Sequence, residues 1–180
     1  MEEPDHLPDE TEGDSPAEAP VSWAAKDMSG AYDELEHPAD LFLEITGRDV
    51  ADLFENALYA FYFQVADLEG VEARDAADFD IREGSLGEAL RAVLAEALYR
   101  FDTEGFVAVS ARVAVRAERG MVAAGDIPAK GVRVTARLWG GRLPPRQGSR
   151  LTEVKAVTYH RLTVAQTPGG EWRATVLFDV

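Results

Sequence analysis

Residues 85–115 read SLGEALRAVLAEALYRFDTEGFVAVSARVAV, and within this run the apolar residues change from helical to strand spacing. The helical part begins behind a Ser85 N-cap, with Glu88 at the capping-box position. Gly105 ends it, because glycine readily adopts the left-handed conformation that closes a helix. From Phe106 to Val115 the hydrophobic pattern has a period of two, which is typical of a strand. The run therefore predicts a helix that leads directly into a strand.

A second amphipathic helix is predicted upstream of this run. Asp49 is a good N-cap, and Asp52 follows it by three positions. Apolar residues then recur at helical spacing for about four turns. They are Val50, Leu53, Phe54, Ala57, Leu58 and Phe61.

Most of the predicted strands lie after the second helix. Period-two patterning occurs at residues 41–45, 106–115, 132–138, 154–164 and 172–180. Glycine and proline clusters at residues 118–120, 140–141, 144–145 and 168–170 indicate hairpin loops. We therefore predict a single α+β domain, in which two amphipathic helices pack on one face of a mixed or largely antiparallel sheet.

Charge and composition divide the 180-residue chain unevenly. The net charge is -15, and residues 1–30 alone hold nine acids and one base. Such an acidic, proline-rich segment buries too little apolar surface to fold, so we expect residues 1–29 to be a disordered tail whose removal leaves the fold intact. Residues 30–180 then form the domain. The absence of cysteine excludes disulfides and cysteine-based metal centres.

Targeting and catalytic signatures are also absent from the sequence. The N-terminus has no apolar signal region, and no apolar run reaches the roughly 18 residues of a membrane span. We expect a soluble, cytoplasmic protein without a membrane partner. The phosphate loop, the dinucleotide fingerprint, the GxSxG elbow and the HExxH motif are missing as well.

Two acidic residues at strand ends are the remaining candidates for chemistry. Asp40 precedes the strand that begins at Leu41, and Asp179 is the penultimate residue. Strand alternation places both on the less apolar side of their strands. If the two strands are neighbours, both carboxylates approach that of the terminal Val180, and such oxygen ligands suit Ca²⁺, Mg²⁺ or Mn²⁺. Solvated strand ends are the alternative interpretation.

Five runs, in chain order, resemble the archease family. They read YDELEHPAD (32–40), LFENA (53–57), LYRFDTEGF (98–106), EVKAVTYH (153–160) and VLFDV (176–180). The resemblance spans about residues 31–180. It implies a small α+β accessory protein, not an enzyme, that activates the tRNA-splicing RNA ligase of the RtcB type. The expected role is to promote guanylylation of the ligase histidine by GTP and to sustain turnover, so that tRNA is only an indirect partner.

The resemblance also assigns roles to single residues. It implies a divalent metal ion, with Ca²⁺ as the first choice, held by Asp40, Asp179 and the terminal Val180. Lys155 falls on the family's lysine and would act in activation of the partner, while His37 would orient a ligand or cap the turn. Pro38 stands where the family usually has threonine, which removes a hydroxyl but stiffens the turn before Asp40.

Two other classes of function are weighed against this one. Residues 112–161 hold eleven bases and three acids, which would serve an RNA-modification accessory module. No aromatic-rich recognition motif accompanies them, and we predict that Trp139 and Tyr159 serve core or sheet-edge packing and not base stacking. No DNA partner is expected. A chaperone-like protein would need a large exposed apolar surface.

Overall fold

The computed structural model describes residues 18–117, 131–143 and 151–180. A short 3₁₀ helix, Trp23–Ala25, precedes two α-helices and eight strands in this part of the chain. In chain order these are β1 (Tyr32–Leu35), β2 (Leu41–Gly47), α1 (Val50–Val65), β3 (Asp75–Glu83), α2 (Leu86–Glu104), β4 (Phe106–Ala117), β5 (Val132–Arg142), β6 (Ala156–Val157), β7 (Thr163–Gln166) and β8 (Trp172–Asp179).

The described strands form two antiparallel sheets. One has five strands in the order β1-β2-β8-β6, with β7 also paired to β8, and the other has three strands in the order β3-β5-β4. Helix α1 contacts β2 and β4, and α2 contacts β3 and β5, so the helices connect the two sheets through one hydrophobic core. The predicted α+β class and single domain are confirmed, with the strands divided between two sheets.

Both helices begin, and α2 ends, where the capping residues predicted. The Asp49 side chain accepts a hydrogen bond of 2.8 Å from the Asp52 backbone N–H, and Ser85 Oγ accepts one of 3.2 Å from that of Glu88. Gly105 closes α2 with φ 66°, and its N–H donates to the Phe101 carbonyl at 3.0 Å. These local contacts satisfy backbone groups that a helix end leaves unpaired.

The strand predictions differ from the structure in three places. Strands β1 and β3 were not predicted. Residues 154–164 do not form one strand, because a turn in which Arg161 has φ 53° separates β6 from β7. Gly140 and Gly141 lie inside β5, where a Cβ on Gly140 would collide with the Val107 carbonyl of β4. The loops predicted at residues 118–120 and 144–145 lie outside the described residues.

The N-terminal segment also differs from the expectation. Residues 18–29 are described, and Trp23 is only 2% exposed within the core. Its ring packs edge-on against Tyr59 of α1 at a centroid distance of 5.8 Å. The composition of the segment did not reveal this buried residue, because a single tryptophan changes the average hydrophobicity of an acidic segment very little. The folded part thus begins before residue 30, and residues 1–17 of the predicted tail lie outside the described residues.

Candidate functional site

Three neighbouring strand ends bring most of the predicted site residues together. Strand β2 pairs with β8 so that Leu41 lies opposite Phe178, and continuing this register by one residue sets Asp40 beside Asp179. On the other side of β8, Ala156 of β6 lies opposite Asp179, which places Lys155 at the same end of the sheet. Residues that are more than a hundred positions apart in the sequence thus meet through antiparallel pairing.

The C-terminal residue has a fixed position at this end. Phe178 is buried, and Val180 packs against the core. The Lys155 backbone N–H donates to the Asp179 carbonyl at 2.8 Å, and Lys155 Nζ donates to a Val180 oxygen at 3.0 Å. Packing and two hydrogen bonds therefore hold the terminal carboxylate beside Asp179.

His37 lies against Asp40 at the entry to β2. Its Nδ1 is 3.1 Å from Asp40 Oδ2, and its ring packs edge-on against Phe42 at a centroid distance of 6.2 Å. The direction of the close contact does not give a hydrogen bond, so Nδ1 is a buried nitrogen without a bonded partner. A buried polar atom in this condition marks a place where a water molecule or ion would satisfy it.

A turn at residues 158–162 lies over the outer face of the sheet beside these groups. Thr158 donates to the Leu177 carbonyl through its backbone N–H at 3.1 Å and through Oγ1 at 2.9 Å. The Arg161 guanidinium lies 5.5 Å from the centre of the Phe42 ring. Arg161 was not identified from the sequence, because the period-two pattern placed it within a continuous strand and gave no sign of the turn.

The two aromatic residues assigned to packing behave differently. Trp139 is buried, which agrees with core packing, whereas Tyr159 is 64% exposed and lies outside the core. Arg91 of α2 donates from Nε to the Val157 carbonyl at 3.1 Å, and its guanidinium lies 4.4 Å from the centre of the Tyr159 ring. The arginine thus makes a cation–π contact with one face of the Tyr159 ring at the protein surface.

The donor chemistry at this end of the sheet fits a hard cation. Within the described ranges, no three histidine or acidic side chains are grouped closely enough to hold a metal ion. A site would therefore depend on the carboxylates of Asp40 and Asp179 together with the terminal carboxylate of Val180. All three supply oxygen, the ligand that Ca²⁺, Mg²⁺ and Mn²⁺ prefer. Lys155 balances one of the negative charges.

Three arginines of β5, which belong to the basic stretch, form ion pairs with acids of β3 and α2. Asp80 of β3 accepts two hydrogen bonds from the Arg133 guanidinium, at 2.8 and 2.7 Å. Arg137 Nε lies 3.7 Å from Asp78 Oδ1, and Arg142 forms an ion pair with Glu104 at 3.2 Å. Of the eleven bases counted in the sequence, Arg133, Arg137 and Arg142 are therefore paired with acids in the described part of the chain.

Comparisons with known proteins identify the family of this chain. The model of the archease protein family matches residues 32–180. The chain belongs to the archease family. Protein archease of Archaeoglobus fulgidus is 32% identical over 149 residues, which cover 83% of this chain and 98% of the relative. Protein archease of Methanosarcina mazei is 31% identical over 150 residues, covering 83% and 95%.

A solved structure agrees with the fold. The solution structure of protein 1598 of Methanobacterium thermoautotrophicum superposes with a TM-score of 0.67 at 24% identity, covering 84% of this chain and 99% of that one. Neither α1 nor α2, the α-helices of the described ranges, is long and apolar enough to span a bilayer.

Proposed function

We propose that this protein is an accessory factor of the GTP-dependent tRNA-splicing RNA ligase and promotes transfer of GMP to the ligase histidine. Membership of the archease family supports the proposal at the level of the whole chain. The observation that carries it is the strand pairing that places Asp40, Asp179 and Lys155 at the same end of the five-stranded sheet. These three residues come from separate runs of the family resemblance.

In this proposal Asp40, Asp179 and the terminal carboxylate of Val180 hold a divalent cation, with Ca²⁺ as the first choice. Such a cation would relieve the mutual repulsion of three carboxylates and offer open coordination positions to oxygen atoms of a partner. His37 positions the Asp40 carboxylate through its 3.1 Å contact. Lys155 holds the terminal carboxylate and presents a positive charge at the rim of the site.

Single-turnover guanylylation of the ligase from the same organism tests this function. The ligase is incubated with labelled GTP, with and without this protein, and label on each chain is followed with time. We expect faster labelling of the ligase and no label on this protein. An unchanged ligase rate, or GMP on this protein, contradicts the proposal.

An RNA-binding accessory role is less well supported, because the arginines of β5 lie against aspartates of β3. Neutralised arginines release few counterions on binding a phosphate backbone, so affinity would be low. Filter binding of labelled tRNA at increasing salt distinguishes the two functions. We expect weak binding that does not compete with ligase activation.

A further inference from the structure

Four aromatic rings cluster between the N-terminal segment, β1 and α1. Tyr59 lies 5.8 Å from Trp23, 6.1 Å from Tyr32 and 5.6 Å from Phe63, measured between ring centroids. Tyr32 and Phe63 are 6.4 Å apart. Phe63 is 48% exposed, which is unusual for a phenylalanine on a helix whose other face is fully buried. The cluster therefore presents aromatic surface to solvent.

These rings line a groove between strand β1 and helix α1. The cleft has a volume of about 520 Å³, and its lining includes Trp23, Met28, Tyr32, Glu34, Tyr59 and Phe63. We call it the β1–α1 groove. Trp23 and Met28 precede residue 32, where the match to the family begins, so the N-terminal segment adds a wall to the shared domain.

One side of the groove is the open edge of a sheet. The Thr46 N–H donates to the Ala31 carbonyl at 3.0 Å, which fixes the ladder between β1 and β2. In an antiparallel ladder, alternate residues direct their backbone groups away from the partner strand. Tyr32 and Glu34 therefore direct N–H and C=O groups to the free side of β1. No other strand in the described part of the chain pairs with this edge.

The acidic residues beside the groove indicate which kind of segment could bind there. Asp33 and Glu34 are exposed on β1, and Lys26 is the basic residue of the lining. Two copies of β1 paired edge to edge would bring these acids together, which is unfavourable. Residues 1–17 contain no lysine or arginine, so this acidic segment is repelled as well. Aromatic faces beside carboxylates instead favour a cationic side chain.

We propose that the β1–α1 groove binds an extended, arginine- or lysine-containing segment of a partner protein, which adds as a strand to the edge of β1. Backbone hydrogen bonds to Tyr32 and Glu34 supply affinity, as in other cases of strand addition. Alternate side chains of the segment enter the groove, where a cation lies against Tyr59 and Phe63 and near Glu34. The site is independent of the ends of β2, β6 and β8 discussed above.

Peptide binding to the full chain tests this proposal without the ligase. The probe is a labelled, end-blocked peptide Thr-Val-Arg-Val-Arg-Val-Thr, and its counterpart carries glutamate in place of arginine. Fluorescence anisotropy should show binding of the arginine peptide that is at least about tenfold tighter than that of the glutamate peptide. Methylation of alternate backbone nitrogens of the probe should abolish binding, because it blocks strand addition.

Variants locate the binding on the protein. Phe63→Ala should weaken the arginine peptide about tenfold, within the range of a partly desolvated cation–π contact. Tyr99→Ala removes an aromatic ring of similar exposure, 59%, from α2 and should change nothing. Equal binding of both peptides, or equal binding by Phe63→Ala, overturns the proposal. So does a dimer in sedimentation velocity that Phe63→Ala dissociates, because the groove would then belong to a second copy.

Discussion

In the three-stranded sheet each aspartate of β3 forms an ion pair with an arginine of β5, whereas Asp40 and Asp179 at the end of the five-stranded sheet have no arginine partner in the described part of the chain and lie at the ends of two paired strands. Asp75, Asp78 and Asp80 form ion pairs with Arg142, Arg137 and Arg133. The hydrogen bonds from Arg133 lower the pKa of Asp80. At the other location, Lys155 Nζ contacts a Val180 oxygen and His37 lies against Asp40.

The aspartates of β3 are thus neutralised by arginines of the same fold, whereas Asp40 and Asp179 have no such partner among the contacts described above. Exposed pairs such as Asp78 with Arg137 contribute little to stability and leave little net charge to attract a partner. Carboxylates that approach one another repel, and such an arrangement is more often found at functional sites than in purely structural ion pairs. The end of the five-stranded sheet is therefore the better candidate for function, although both regions are rich in charge.

The largest expected effect is loss of ligase activation on removal of one carboxylate. Asp40→Asn or Asp179→Asn should reduce the stimulated guanylylation rate at least about 100-fold, because loss of a ligand removes the cation site. The melting temperature should stay the same or rise, since repulsion is relieved. Asp78→Asn is the matched control on β3 and should retain full activation. Equal activity of all three variants would abolish the distinction between the two regions.

Truncation of the N-terminal segment should affect stability more than any charge on the three-stranded sheet. Removal of residues 1–29 takes away the buried Trp23, and a lost core tryptophan costs about 3–5 kcal/mol. For a chain of this size that corresponds to a fall in melting temperature of about 6–20 °C. Removal of residues 1–17 should leave the melting temperature unchanged. Calorimetric scans of both truncations and of Trp23→Ala compare the two segments, and equal melting temperatures would contradict the role of Trp23.

A blocked C-terminus should have an intermediate effect. A tag added after Val180 converts its carboxylate into an amide, whereas a tag before Met1 leaves the site intact. We expect Ca²⁺ affinity, measured by titration calorimetry, to fall about tenfold for the C-terminal tag only, as one charged oxygen ligand is lost. If both tagged proteins bind Ca²⁺ equally, the terminal carboxylate is not a ligand, and only the two aspartates remain as candidates.

The sequence predicted features that short-range signals specify. Asp49, Ser85 and Gly105 mark helix ends because each makes a contact within a few residues. Strand β3 carries alanines and aspartates in place of branched residues, so its pattern is weak until its pairing with β5 is known. Trp23 packs against Tyr59, 36 positions away, and no local pattern indicates that contact.

The candidate site also combines features that the sequence predicted with features that depend on tertiary contacts. Alternation along β2 and β8 predicted the faces of Asp40 and Asp179, and the family resemblance marked Lys155. The neighbours of the site depend on strand pairing and on the turn at residues 158–162. The left-handed conformation of Arg161 and its position over Phe42 follow from that turn, and strand periodicity carries no information about them.

The smallest expected effect concerns Glu55 of helix α1, whose carboxylate contacts β4, an edge strand of the three-stranded sheet. It accepts a hydrogen bond of 3.0 Å from the Val113 N–H of β4. Burial raises the pKa of Glu55, and this hydrogen bond lowers it by less. The folded-state pKa therefore lies above that of the unfolded chain, so the ionised carboxylate costs stability at neutral pH. This cost falls as the pH decreases through the raised pKa.

Glu55→Gln keeps an oxygen acceptor for the Val113 N–H and removes the buried charge. We expect it to raise the free energy of unfolding at pH 7 by less than about 1 kcal/mol, because the carboxylate is still partly solvated. The gain should shrink as the pH falls through the raised pKa and be lost below about pH 4, under the ordinary pKa of a glutamate. Urea unfolding at both pH values measures it, with the exposed Glu69→Gln as the control. A loss of stability at pH 7 would contradict this prediction. It would show that the hydrogen bond from the Val113 N–H stabilises the ionised carboxylate by more than burial destabilises it, so that an acid at this sheet needs no arginine partner.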